Sequence, residues 1–380
     1  MHEMNYIPRA ISPAILRAAE YFSVIVITGP RQTGKTTLCH QLFPDYKEYN
    51  FEDVALREAV SNDPKAFLRD CGDRVLIDEV QRVPDIFSYI QLAVDSQPER
   101  KFVLIGSNNF TLMESITQSL AGRASLFTLL PFSLDEVDDY KRTPTNELIL
   151  NGFYPGVVAK GMPVDLFFPN YYTTYIERDV RQLKSLTDLA SFQKFIRLLA
   201  GRVGSVFNAS SFTNELGISS PTVKSWLSVL QMSYIAFTLE PYFANISKRL
   251  VKMPKVYFYD TGLLCFLLGI TTAEQLAVHP LRGAIFENLV LVEKLKRRVN
   301  AGELPHLYYY RDSTGVEIDI VEERELALHL TEVKSSATFT PDFLKNIKKV
   351  SAVAGLHVGS SQVVYDGDTI PGIATNFREI

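Results

Sequence analysis

The chain has 380 residues, 46% hydrophobic and 22% charged, enough apolar material for two or three separately cored domains. Its formal net charge of −4 excludes a generally basic nucleic-acid binder, though not a local basic patch. Cys39, Cys71 and Cys265 stand singly, without metal or disulfide spacing. The start MHEMNYIPRA has no charged segment leading into an apolar one, and the longest strongly apolar piece, near Leu263–Ile270, is too short to span a bilayer. These features predict a soluble cytoplasmic protein with no membrane partner.

Val24 to Thr28 is a β-branched apolar run and predicts a buried strand. The loop that follows, Gly29-Pro30-Arg31-Gln32-Thr33-Gly34-Lys35-Thr36-Thr37, fits G-x-x-x-x-G-K-[ST] and opens a helix over Lys35 to Leu42. Such a loop turns backbone N–H groups toward a phosphate chain, and the helix N-terminus adds its positive end. The residues from Gly29 to Thr37 are therefore the candidate ATP-binding set. Lys35 would reach the β- and γ-phosphates and Thr36 would hold Mg²⁺. Tyr46 to Glu52 predicts a second strand, and "REAVSNDPKAFLRD" a helix interrupted at Pro64. Val75 to Ile77 predicts a strand ending in Asp78-Glu79. Asp78 is placed to hold the metal shell, and Glu79 to polarise the attacking water. Phe102 to Ile105 predicts another strand, ending in Ser107-Asn108-Asn109. Asn108 is the first choice there for sensing the γ-phosphate, although ordinary turn chemistry fits the stretch as well. A fifth strand is predicted over Leu126 to Leu130. Strands alternating with helices imply an α/β fold with a parallel sheet, whose ligands lie at the carboxyl ends of the strands.

Arg123, and Arg178 within "NYYTTYIERDVRQL", are candidate cations for the γ-phosphate, and either also fits a salt bridge. "NASSFTNELGISSPTVKSWLSVLQ" reads as a helix-turn-helix, with Ser210 or Ser211 capping the first helix, Gly217 at the turn and Pro221 opening the second. "MSYIAFTLEPYF" and "KVYFYD" would supply wing strands. The groove-facing helix offers little beyond Ser219, Ser220, Thr222 and Lys224. Lys248, Arg249, Lys252 and Lys255, with no acid among them, are the better candidates for a nucleic-acid backbone; a packing module is the equal alternative. Farther on, "LRGAIFENLVLVEKLKRR" is an amphipathic helix carrying Glu287. "VEIDIVE" is a strand with Glu317 and Asp319 on one face, and "ALHLTEVKSS" a strand with Glu332 and Lys334 on one face. Helix, three strands, helix, strand is the order of the PD-(D/E)XK nuclease core. Asp319 and Glu332 could hold a second Mg²⁺, Glu287 complete its shell and Lys334 orient water; a binding scaffold fits the same order.

"GPRQTGKTTL", "LIDEVQRVPDIF", "LIGSNNF" and "SLAGRASLFTLLPFSLDE" resemble a bacterial and archaeal branch of the AAA+ ATPases. "NGFYPGVV", "YYTTYIERDV" and "KRLVKMPKVYFYDTGL" resemble its companion C-terminal region, a domain of unknown function. The resemblance implies an ATPase core (residues 1–135), a helical extension (136–204), a winged helix (205–275) and a nuclease-like module (276–380). It also implies Mg²⁺-dependent ATP hydrolysis and makes a homo-oligomer a candidate assembly. The expected function is an ATP-driven switch or motor moving a winged-helix and nuclease-like arm, with DNA as a candidate target. The alternatives are a nucleotide-regulated nucleic-acid-binding or signalling module without significant turnover, and an ATP-regulated nuclease.

Overall fold

Period-two alternation explains how the first sheet is buried on both faces. In the computed structural model, which describes residues 6–106, 118–177, 188–242, 253–353 and 356–380, strand β1 (Val24–Thr28) is buried throughout. Val24 and Val26 face one cluster, with Val75, Ile77, Phe102 and Leu104 from neighbouring strands and Val60, Leu68, Ile86, Phe87 and Ile90 from helices. Ile25 and Ile27 face the other, with Leu76, Val103 and Ile105, against Ile11, Ile15, Leu38 and Cys39. A strand covered on both sides has no polar alternation, which is why these runs read as continuous apolar segments.

The strands β2 (Lys47–Asn50), β3 (Arg74–Asp78), β4 (Lys101–Ile105) and β5 (Ala124–Thr128) join β1 in the order β2-β3-β4-β1-β5. All pairs are parallel, with Ile27 opposite Ile105 on one side and Phe127 on the other. The fifth strand starts and ends two residues before the predicted Leu126–Leu130. Pro64 does split its helix, giving Val54–Asn62 and Pro64–Asp70, with Asp63 closing the first and capping the second. A helix absent from the sequence reading, Ser12–Tyr21, covers the sheet with Ile15.

The chain divides into two compact units. The first comprises Met1–Phe132, Met232–Tyr234 and Arg298–Glu303, and the second Ser133–Gln231, Ile235–Arg297 and Leu304–Ile380. In the second, helices Leu189–Ala200, Ala209–Leu216 and Ser220–Met232 precede an antiparallel pair, β6 (Ala236–Leu239) and β7 (Lys255–Phe258). The cap of helix Ala209–Leu216 is Asn208, whose side chain accepts from the Ser210 N–H at 3.0 Å, and not Ser210 or Ser211. An amide acceptor two residues before that donor competes well with a serine already inside the first turn.

The same unit holds a second sheet: β8 (Leu307–Arg311), β9 (Glu317–Arg324), β10 (Ala327–Lys334), β11 (Val358–Tyr365) and β12 (Ala374–Asn376), in the order β12-β11-β10-β9-β8. β8, β9 and β10 run antiparallel, and β11 runs parallel to β10 after a crossover through helix Lys345–Ser351. Helix Arg282–Asn300 precedes them. One sheet face buries Ile318, Val321, Leu330 and Val363 against Ile347 and Val350.

Asp260 explains two otherwise unplaced stretches, "NGFYPGVV" and "YDTGL". It is buried, accepts from the Leu263 N–H at 2.9 Å as the cap of helix Thr261–Leu268, and accepts from the Phe153 N–H at 2.7 Å. Gly152 lies at φ 62, and a Cβ there would stand 2.4 Å from the Asp260 Oδ1. Only glycine lets that backbone come so close to the carboxylate.

Candidate nucleotide site

The loop after β1 is built by two local requirements. Gly29 has φ 138, and a Cβ at that position would lie 2.3 Å from the Leu129 carbonyl oxygen. Gly34, at φ 86, then caps helix Lys35–Leu42 in the left-handed region. Between them Thr33 Oγ1 donates to the Pro30 carbonyl at 2.9 Å, and Gln32 is an exposed residue at φ 60. Arg9, far upstream, secures the loop. Its guanidinium donates to the Thr33 carbonyl at 2.9 Å and to the Leu130 carbonyl at 2.7 Å, and stacks on the Phe132 ring at 4.5 Å. Sequence reasoning missed Arg9, because one arginine in a short N-terminal stretch carries no pattern.

Lys35 Nζ donates to the carbonyls of Gly29 at 3.1 Å and Pro30 at 2.8 Å, so the ammonium lies in the mouth of the loop. Burial pulls its pKa down to about 8, against the raising effect of Glu79 and Asp78. Thr36 Oγ1 donates to Asp78 Oδ2 at 2.8 Å, and the Glu79 N–H donates to Asp78 Oδ1 at 2.8 Å. The strand-end carboxylate is therefore held by the loop hydroxyl on one oxygen and by the next backbone amide on the other. Glu79 lies at φ 54, uncommon for a residue with a side chain, and its carboxylate accepts from Gln81 Nε2. Burial raises its pKa, and the nearby Arg31 opposes that rise. The hydroxyl of Thr36 and the carboxylate of Asp78 are hard oxygen donors, the type Mg²⁺ takes beside phosphate, so the residues fit that ion.

Lys35, Thr36, Asp78 and Glu79 thus come together, at the carboxyl ends of β1 and β3. Asn108, with Ser107 and Asn109, lies outside the described residues, as does Arg178. Arg123 does not join the site. It precedes β5 at the amino end of the sheet, where its carbonyl accepts from the Val24 N–H at 3.2 Å, and its guanidinium grips both oxygens of Asp95, at 2.5 and 2.8 Å. That is the end of β1 opposite the loop, so Arg123 cannot serve a phosphate held by its own chain.

In the second unit Glu287, Asp319, Glu332 and Lys334 form one electrostatic cluster. Lys334 Nζ binds Glu332 Oε1 at 2.7 Å, and Asp319 Oδ2 accepts from the Val333 N–H at 2.7 Å. Burial, followed by Asp319, raises the pKa of both Glu287 and Glu332. Among the described residues, however, no three His, Cys, Asp or Glu side chains are placed so as to hold a metal. The expected role of Lys255 is overturned. It is 3% exposed and ion-paired to Glu287 at 3.5 Å and to Glu317, so it cannot meet a nucleic-acid backbone. The acids that claim it come from Arg282–Asn300 and β9, remote in sequence. Lys248, Arg249 and Lys252 lie outside the described residues. No helix among the described residues is long and apolar enough to cross a membrane.

An AAA domain model matches residues 21–138, and two domains of unknown function, DUF8612 and DUF4143, match 142–274 and 282–379. The uncharacterized proteins Rv2008c of Mycobacterium tuberculosis and Mb2031c of Mycobacterium bovis are each 31% identical over 365 residues, covering 95% of this chain and 80% of theirs. Among solved structures, the Walker-type ATPase paby2304 of Pyrococcus abyssi is 16% identical, with TM-score 0.46, covering 70% of this chain and 97% of that one. The S. cerevisiae Hsp104–ADP complex is 11% identical, with TM-score 0.27, covering 76% and 43%. With its loop and its strand-end carboxylates, and matched by relatives over 95% of its length, the chain belongs to the family of these mycobacterial proteins; it is itself a P-loop ATPase of the AAA class whose AAA domain is followed by two domains of unknown function.

Proposed function

We propose that the protein binds ATP with Mg²⁺ at residues 29–37 and hydrolyses it, using the energy as a switch or small motor. The observation that carries this reading is the Thr36–Asp78 hydrogen bond of 2.8 Å, beside the Lys35 ammonium and one residue from Glu79. Lys35 and the loop backbone bind the phosphates, and Thr36 and Asp78 would hold the metal directly or through its waters. When bound, Mg²⁺ neutralises phosphate charge and fixes the geometry of the terminal phosphoryl group. Glu79 orients and polarises the attacking water, once its carboxylate turns from Gln81 toward the phosphate. Its raised pKa strengthens it as a base at neutral pH. Glu79→Gln should therefore bind ATP as tightly as the parent and hydrolyse it at least about 10²-fold more slowly. Near-parental phosphate release from a homogeneous preparation would place the base elsewhere.

The second unit favours a coupled arm. Three helices followed by the antiparallel pair β6–β7 support a winged helix, and helix Arg282–Asn300, β8, β9, β10, helix Lys345–Ser351 and β11 support a nuclease-like core. We propose the corresponding division, residues 136–204, 205–275 and 276–380 after an ATPase core of 1–135. The three cysteines, buried and unpaired, fit a reducing, cytoplasmic setting. The runner-up is a nucleotide-locked binding module. Steady-state phosphate release, measured alone and with duplex DNA, single strands or RNA, separates the two: ATP binding without release under any condition supports the runner-up.

A further inference from the structure

The second unit buries a carboxylate cluster that ATP hydrolysis does not use. Glu332 is 4% exposed, and the side chains of Glu287 and Glu317 are 17% and 26% exposed, with Asp319 between them electrostatically. Carboxylates brought this close and this deep are costly unless cations or protons compensate them. Lys334 serves Glu332 from the same strand. The second cation, Lys255, comes from outside both the helix and the sheet that carry the acids. It opens β7, its Nζ reaches both Glu287 and Glu317, and it sits 5.2 Å from the centre of the Tyr309 ring. Tyr257, two residues along β7, donates to the same oxygen of Glu287.

Two further observations bear on what this centre can hold. The Glu332 Oε2 oxygen is buried and accepts no hydrogen bond from the described residues, so their donors do not complete the cluster. Yet the acids are not arranged as ligands of one metal, although the resemblance to nuclease-like modules implies Mg²⁺ there. A Mg²⁺ ion requires near-octahedral oxygen ligands, several of them water. An ammonium bonded to Glu287 and Glu317 takes up the charge and the space beside Glu287, one of the three acids expected around such an ion. It is also firmly placed. β7 pairs with β6 on one side, while on the other the Gly204 N–H donates to the Val256 carbonyl at 2.9 Å and the Val256 N–H to the Ser205 carbonyl at 3.1 Å.

We infer that Lys255 is the resident cation of this carboxylate centre, standing beside Glu287 in place of a metal and closing the centre to divalent ions. The centre is then a lysine-neutralised joint between β7 and the C-terminal sheet.

The test is Mn²⁺ titration of the nucleotide-free full chain, followed by calorimetry and by the melting midpoint. Wild type and Lys255→Arg should show no Mn²⁺ site dependent on Asp319. Lys255→Met should gain one site, at least about 10-fold tighter than any wild-type binding, and lose it again when Asp319→Asn is added. Because Lys255→Met leaves Glu287 without its ion-pair partner, it should melt below wild type and recover several degrees in about 5 mM Mn²⁺, a shift absent from wild type. A wild-type Mn²⁺ site abolished by Asp319→Asn overturns the inference. So does a Lys255→Met protein whose midpoint and binding do not respond to Mn²⁺, or one that stays unfolded with Mn²⁺ present.

Discussion

Lys35 gives the sharpest quantitative expectation, because its charge is needed for phosphate binding and its pKa in the free protein is only about 8. Contact with a polyphosphate favours the charged ammonium and should return the pKa to at least the ordinary lysine value. Free protein at pH 8 is then about half deprotonated at Lys35 and must take up about half a proton on binding; at pH 9 the uptake rises to about nine-tenths, and at pH 7 it falls to about one-tenth. The sign is fixed: a cation whose pKa rises on binding takes up protons, and affinity falls as pH climbs through the free-state value. Between pH 7 and pH 9 the affinity should drop about 10-fold, or about 1.4 kcal/mol. Titration with Mg²⁺–ADP avoids turnover, and repeating it in two buffers of different ionisation enthalpy reads the proton uptake directly. Phosphate groups themselves titrate below this window. Lys35→Met should bind weakly and lose the pH dependence above pH 8. Equal affinity at pH 7 and pH 9 for the parent, with no buffer dependence of the heat, would refute the reasoning and leave Lys35 fully charged in the free protein.

Arg9→Met removes the hydrogen bonds that tie the loop carbonyl of Thr33 to the Leu130 carbonyl after β5, and should raise the ADP dissociation constant about 10-fold by equilibrium titration, through a loosened loop. Gly152→Ala forces a side chain into the Asp260 carboxylate at positive φ and should cost about 3 kcal/mol or more, read from denaturant midpoints, without changing the ADP affinity of the protein that remains folded. Arg123→Ala should leave the turnover of dilute, monomeric protein within about two-fold of the parent, since its guanidinium is held by Asp95 and the Ala121 carbonyl, away from the loop. A 10²-fold loss that appears only on assembly would assign it to the phosphate of a neighbouring copy.

The nucleotide loop was legible because each conspicuous letter answers a local demand: glycine where a Cβ would strike Leu129, glycine at the left-handed cap, lysine and threonine at the helix start. Asp78 was legible as a carboxylate ending an apolar run. Where the sequence reading failed, the deciding partner was distant. Lys255 looks like part of a basic stretch because its acids belong to Glu287 and Glu317, and no window of neighbouring residues contains them. Arg123 looks like a free cation for the same reason, with Asp95 on the preceding helix. Arg9 looks like nothing until the loop folds over it. The cap at Asn208 was a closer contest, since Asn208, Ser210 and Ser211 are all competent acceptors and only the backbone's entry into the helix decides among them.

Arg9 and the helix behind it have a practical corollary for anyone isolating the ATPase core. The AAA domain match begins at residue 21, and a fragment cut there would lack Arg9, Ile11 and Ile15. Both isoleucines are fully buried against the face of the sheet that carries Ile25 and Ile27, beside Leu38 of helix Lys35–Leu42. Their loss would bare an oily strip, with about 1.5–3 kcal/mol forfeited per side chain, and leave the Thr33 carbonyl without its guanidinium. Such a fragment would tend to self-associate and to bind nucleotide poorly, and its weak activity would be mistaken for a property of the enzyme. The functional core is therefore longer than the recognisable domain and includes Arg9, Ile11 and Ile15.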